Sequence, residues 1–304
     1  MQQPAHIRGP VIWHDMDQKA LDDAYDQLVY APNRDLVLGR IAAASERARK
    51  ILGPPQRVAY GPSEHECLDI YRASSPPFPA SGAPIDIFVH GGAWLRGSAA
   101  ESALFAEPLV RAGAHAVIID FINADQAGGD LMPLYRQVSR AIAFVWRNAE
   151  SFGGDRSRLY VSAASSGAHL AACALARGYS EEALPGDFCK GALLCAGMYD
   201  LKPVRLSSRS AYVKFTDAME QDLSPQRHLE GITTPLILAH GTCETPEFER
   251  QTRDFFAALQ AAGKPAELIV GEGYNHFELF ETMANPYGLV GRARLRQMGL
   301  APSF

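Results

Sequence analysis

The stretch Ser162-Ala163-Ala164-Ser165-Ser166-Gly167-Ala168-His169-Leu170 follows a short apolar run, Leu159 to Val161, and enters a nearly all-apolar helical stretch, Gly167 to Ala176, at once. A strand, a tight turn of small residues around one serine, and a helix suit a nucleophilic hydroxyl. The serine sits at strained backbone angles, and its neighbours two before and two after must be small for strand and helix to pack. Ser165 holds that register, with Ala163 and Gly167 at the two positions. Ser166 is a rival, but choosing it loses the glycine at plus two; a serine that merely caps the helix is the bland alternative. The helix amino terminus also offers partial positive charge to a developing oxyanion. A second stretch, His90-Gly91-Gly92-Ala93-Trp94, comes directly after the run Ile85 to Val89. Paired glycines there let bare backbone N–H groups face a ligand, as an oxyanion hole requires. His90 reads as a residue holding the loop, and Trp94 either lines a pocket or packs.

An acid and then a histidine are needed downstream, in the chain order typical of such sites. His240-Gly241-Thr242-Cys243-Glu244 follows the run Pro235 to Ala239, and Gly273-Tyr274-Asn275-His276-Phe277 follows Leu268 to Val270. A histidine in a Gly/Asn-bearing loop can swing toward Ser165, and Glu244 can hold its imidazole in one tautomer. Glu247 is the fallback acid. His169, one turn beyond Ser165, reads as a packing or hydrogen-bonding residue, and His6, His14, His65 and His115 as surface or core residues.

These motifs need a scaffold that presents strand ends to one edge. Short apolar runs (Ile85 to Val89, Ala116 to Ile119, Leu159 to Val161, Gly191 to Ala196, Pro235 to Ala239, Leu268 to Val270) alternate with helical patterns, which implies an α/β fold with a mostly parallel, doubly wound sheet. Leu134, Val138, Ala141, Ile142 and Val145 mark one helix face, and Phe248, Phe255, Phe256 and Leu259 another. Ahead of the sheet, Leu21, Tyr25 and Leu28 recur at helical spacing, Asp35 to Ile51 is a second helical stretch, and Arg57 to Tyr60 with Cys67 to Tyr71 suggests a hairpin. Ser74 to Pro84 reads as a surface loop. We expect one domain over 1–304, with an amino-terminal helical segment over 1–56 and a cap or lid over 198–232. Within that excursion Tyr199, Arg205, Arg209, Tyr212 and Phe215 either shape the choice of substrate or belong to a solvated loop.

Together these residues resemble the α/β-hydrolase superfamily, and within it the kynurenine formamidase-like and hormone-sensitive-lipase-like esterases. The residues that carry the resemblance run along nearly the whole chain: Leu21-Asp22-Asp23-Ala24-Tyr25-Asp26 with Asn33, His90-Gly91-Gly92-Ala93-Trp94, Gly153-Gly154-Asp155 with Arg158-Leu159, and Thr245-Pro246-Glu247-Phe248. The resemblance implies a Ser165, His276, Glu244 triad and an oxyanion hole built from the amides of Gly91, Gly92 and Ser166. It departs at the elbow, where relatives carry Gly-His-Ser and this chain has Ala163-Ala164-Ser165, and at Asp120-Phe121-Ile122-Asn123-Ala124-Asp125. Trp94, Ala164, Phe121 and Phe277 are the expected pocket residues. The activity implied is metal-free cleavage of a small ester or an N-formyl-type amide; a ligand-binding protein that has lost its chemistry is the alternative.

Composition narrows the classes further. With 47% hydrophobic and 21% charged residues the chain is not globally disordered. A net charge of −5 without a basic cluster argues against nucleic acid. No apolar run is long enough to span a membrane and the first thirty residues lack a signal-peptide pattern, so a cytoplasmic location is expected. Five scattered cysteines without a Cys-x-x-Cys read as buried thiols, not as a disulfide framework or zinc site. No dinucleotide or Walker loop occurs, and no cofactor or metal is expected. The expected partner is a small-molecule ester or amide; the oligomeric state is not legible.

Overall fold

Aliphatic runs that are apolar on both faces must be covered on both sides, which a sheet between crossover helices achieves. In the computed structural model, which describes residues 9–73 and 82–302, this is what the apolar runs form. His6 and residues 74–81 of the surface loop lie outside the described residues. Strands β1 (Gln56–Ala59), β2 (Cys67–Tyr71), β3 (Ala83–Val89), β4 (His115–Ile119), β5 (Gly154–Ala164), β6 (Gly191–Cys195), β7 (Leu236–Gly241) and β8 (Ala266–Gly271) make one sheet in the order β1-β2-β4-β3-β5-β6-β7-β8. The β1–β2 and β2–β4 pairs are antiparallel and all others parallel. Every residue of β3, β4, β6 and β7 is buried. This is the α/β-hydrolase fold.

β5 is longer than its apolar core suggests: Gly154–Arg158 extends it, with Ala83 opposite Gly154 across an irregular register. That extension is polar and mostly half-buried or exposed, so it carries no apolar signal. The amino-terminal stripe is also divided. Asp17 accepts a hydrogen bond from the Ala20 N–H and begins the Gln18–Asp23 helix, and Asp26 accepts one from the Leu28 N–H and begins a separate turn, Gln27–Tyr30. Leu21 and Tyr25 are buried while Leu28 stays exposed. An aspartate that caps at position 26 is what breaks the single helix the spacing suggested. The second helix runs Arg34–Leu52.

The crossover helices Met132–Asn148, Ser166–Cys173 and Pro246–Ala261 bury the faces expected of them, including Leu134, Val138, Ile142, Phe248, Phe255 and Leu259. After β6 the chain leaves the sheet through the short helices Leu201–Leu206, Ser208–Ala211 and Asp217–Asp222. This excursion is stitched to the amino-terminal segment. Gln18 Nε2 donates to the Leu206 carbonyl at 2.9 Å, the Ser208 N–H to Asp22 Oδ1 at 2.6 Å, and Arg209 Nη2 to the Tyr25 carbonyl at 3.1 Å. All five thiols are free, but only Cys173, Cys189 and Cys195 are buried; Cys67 is half-buried and Cys243 is exposed. Cys243 departs from expectation because it lies in the loop beyond β7, not in the sheet. No helix among the described residues is long and apolar enough to cross a membrane.

Candidate active site

The carboxyl ends of β3, β5, β7 and β8 deliver the site, as the parallel part of the sheet requires. Ser165 lies between β5 and the Ser166–Cys173 helix at φ 53°, ψ −127°, a left-handed conformation costly for any residue but glycine. Its surroundings hold it there. Its N–H donates to the Cys195 carbonyl at 2.8 Å. A Cβ on Gly167 would stand 2.3 Å from the Val89 and His90 carbonyl oxygens, so only glycine lets the helix press against the end of β3. Ala163, two positions before the serine, is not strained: it sits within β5, paired with Val89 and Leu194, and its φ is not positive. The demand at that position is for small size, and a methyl group meets it.

His276 is the first residue of the His276–Met283 helix, whose Asn275 cap accepts hydrogen bonds from the Phe277 and Glu278 N–H groups while Glu278 accepts one from the Asn275 N–H. This capping box fixes the turn that carries the imidazole. The ring's Nε2 lies 3.0 Å from Ser165 Oγ and its Nδ1 2.5 Å from Glu244 Oε1. An ionised carboxylate only accepts, so Nδ1 carries the proton and Nε2 is left to accept from the serine hydroxyl. The second oxygen of Glu244 receives the Gly241 N–H at 3.4 Å. All three residues are buried, and the edges or faces of Phe248, Phe277 and Phe280 surround the imidazole with ring centroids 4.6 to 5.3 Å away. Glu247 is committed elsewhere: it accepts from the Tyr25 hydroxyl at 2.9 Å and pairs with Arg250 at 2.7 Å.

Ser165 and His276 open on a cavity of about 480 Å³. Of the expected oxyanion residues, Gly92 lines it while Gly91 and Ser166 do not; Ala93, not anticipated, lines it beside Gly92. Gly91 is wedged against the elbow, where a Cβ would stand 2.8 Å from the Ala164 carbonyl oxygen. Gly92, Ala93 and Trp94 all have positive φ, of 116°, 58° and 63°. The bend is pinned by the Trp94 N–H donating to Ser166 Oγ at 3.1 Å and the Ala124 N–H donating to the Trp94 carbonyl at 2.7 Å. The hydroxyl of Ser166 therefore serves the loop. The Gly92 and Ala93 amides have no backbone acceptor among the described residues.

Of the four expected pocket residues only Phe277 lines the cavity. Trp94 is turned beneath the loop by its left-handed backbone and meets His169 edge-on, centroids 5.3 Å apart. Phe121 stacks on His90 at 4.4 Å, and both border a different depression. Ala164 is buried at the end of β5. The walls come instead from the two non-sheet segments: Tyr25, Leu28 and Leu38 from the amino-terminal part, and Ser208, Arg209 and Tyr212 from the excursion after β6. Tyr199, by contrast, is buried against Phe255, and Arg205 pairs with Asp217 and Glu220.

His169 is fully buried and donates from Nε2 to the Leu223 carbonyl at 2.7 Å, so it ties the nucleophile helix to the excursion. Burial pulls its pKa from 6.5 down to about 4. Between those values the unfolded chain binds a proton that the native state refuses, so stability is retained above pH 6.5 and lost as pH falls toward 4. We expect the melting temperature to drop over that interval and His169→Gln to flatten the decline. An unchanged slope in the variant would assign the acid sensitivity to other groups, with His90 and His115, also lowered by burial, next in line.

A family model described as BD-FAE matches residues 68–188. Kynurenine formamidase of Danio rerio is 29% identical over 298 residues, covering 94% of this chain and 98% of the relative. An isoprenylcysteine alpha-carbonyl methylesterase of Arabidopsis thaliana is 30% identical over 246 residues, covering 73% of this chain and 56% of the relative. Among solved structures, esterase LipW of Mycobacterium marinum superposes with a TM-score of 0.69 at 19% identity, covering 90% of each chain. The propionate-bound esterase Est2 of Thermogutta terrifontis gives 0.67 at 22% identity, covering 83% of this chain and 98% of that one.

Proposed function

We propose that the chain is a serine hydrolase of the esterase-like part of the α/β-hydrolase superfamily, whose triad is Ser165, His276 and Glu244. The reading rests on one observation: an unbroken hydrogen-bonded series from Glu244 through His276 to Ser165, at 2.5 and 3.0 Å, ending on a cavity. His276 Nε2 takes the hydroxyl proton as Oγ attacks the substrate carbonyl, and Glu244 stabilises the imidazolium so formed. The amides of Gly92, Ala93 and Ser166 receive the oxyanion; Gly91 keeps the loop close to the elbow. His276 then returns the proton to the leaving group, and water, activated the same way, releases the acyl group. Residues 198–232 act as a cap within a single domain.

For the substrate class we favour an N-formyl aryl amide over a simple ester. The likeness to a kynurenine formamidase runs almost end to end, including the amino-terminal segment that walls the cavity, whereas the methylesterase likeness covers 73% of this chain. N-formylkynurenine and short p-nitrophenyl esters, assayed side by side, test this. We expect turnover of both with the larger kcat/KM on the formyl amide, and stoichiometric labelling of Ser165 by a fluorophosphonate. A protein that neither hydrolyses them nor takes the label is a binding protein on a hydrolase scaffold.

A further inference from the structure

Arg209 sits on the single turn Ser208–Ala211, is 7% exposed and lines the cavity that Ser165 and His276 share. Among the described residues its guanidinium has only neutral partners. Nη1 donates to the Tyr212 hydroxyl at 2.7 Å, Nη2 to the Tyr25 carbonyl at 3.1 Å, and Nε has no acceptor among the described residues. The rings of Trp94, Tyr25 and Phe248 lie around it, with centroids 5.6 to 5.9 Å from the guanidinium carbon. Ring faces offset part of the cost of removing a cation from water, but a buried charge without a counter-charge is an exception in folded proteins. This chain follows the rule elsewhere: Arg294, buried more deeply still, pairs with Asp86 at 2.5 Å.

Where Arg294 meets a carboxylate, Arg209 meets a cavity. The rest of the lining does not supply the missing anion. Arg96 adds positive charge, Arg34 is paired with Asp35 at 2.9 Å, and the acid Asp26 uses Oδ1 to cap the Leu28 N–H at 2.9 Å. A guanidinium offers a planar fork of donors that matches a carboxylate. We propose that Arg209 is the substrate's carboxylate receptor, so that the ester or amide cleaved at Ser165 carries a carboxylate that seats on this guanidinium at the cavity wall, beside Tyr25 and Tyr212. The proposal rests on the hydrolase reading of Ser165 and narrows its substrate to organic anions. Arg209 is then a specificity residue that acts through binding, away from the reacting atoms.

The test compares each carboxylate with a neutral isostere within one protein. 3-(2-Formamidobenzoyl)propanoate against its primary amide probes the leaving-group side, and p-nitrophenyl hydrogen glutarate against p-nitrophenyl pentanoate probes the acyl side. For the wild type we expect kcat/KM to favour the carboxylate in one pair by about ten- to hundredfold, chiefly through KM. The ratio should fall to about one in Arg209→Gln and to an intermediate value in Arg209→Lys. A ratio near one in both wild-type pairs, with Ser165 still labelled by a fluorophosphonate, overturns the carboxylate receptor and leaves the hydrolase reading intact. A preference that survives in Arg209→Gln moves it to another cation and also overturns the proposal. If no substrate turns over, calorimetric binding of 3-(2-aminobenzoyl)propanoate and its amide decides: tighter binding of the carboxylate, lost in Arg209→Gln, supports the receptor, and equal binding overturns it.

Discussion

Ser165→Ala is expected to lower kcat by about a millionfold on any ester or formyl amide the protein cleaves, while the variant still folds. The two halves of this expectation have separate causes. Rate is lost because no other hydroxyl can replace the missing one: Ser166, the next in sequence, is buried and accepts the Trp94 N–H. Stability is kept because alanine suffers the same left-handed strain as serine at φ 53° and forfeits one hydrogen bond to His276, worth about 1 kcal/mol. Steady-state rates and a thermal melt check both. Retention of the original rate would remove Ser165 from the mechanism, and loss of the folded state would make its role structural.

Glu244→Gln is expected to cost about ten-thousandfold in kcat with little change in shape. One oxygen of Glu244 faces a donor, the Gly241 N–H, and the other faces His276 Nδ1. A carboxamide in that place turns its oxygen toward Gly241 and its NH2 toward Nδ1. The imidazole must then present a lone pair at Nδ1 and carry its proton at Nε2, where it can no longer take one from Ser165. The negative charge that stabilises the imidazolium is gone as well. The same exchange at Glu247 is the companion measurement, because that residue's partners are Tyr25 and Arg250. A loss under tenfold at Glu244, or a larger loss at Glu247, would reverse the assignment of the acid.

What could be read from the sequence was whatever is written into consecutive residues. The elbow, the His-Gly-Gly loop and the loop that carries His276 each follow an apolar strand within a few positions, so their chemistry and their place at one sheet edge are encoded together. Pocket membership is not encoded that way. Trp94 looks like a pocket aromatic until the positive φ values at Ala93 and Trp94 turn it under the loop, and those angles are sustained by Ser166 and Ala124, distant in sequence. Phe121 is held by a stack on His90, thirty-one positions away, which no local pattern announces. Tyr25 falls on a helical stripe in the sequence, and the cap at Asp26 ends that stripe before Leu28. That Arg209 meets no counter-ion among the described residues is legible only in three dimensions.

The three hydrogen bonds from Gln18, Asp22 and Tyr25 to residues 206–209 bear on how a molecule reaches the serine. Part of the cavity wall comes from two segments outside the sheet, and those segments hold each other. Lifting one alone means breaking those bonds, at about 1 kcal/mol each. Residues 18 and 22, far from Ser165 in sequence, therefore bear on the wall of the cavity that holds it.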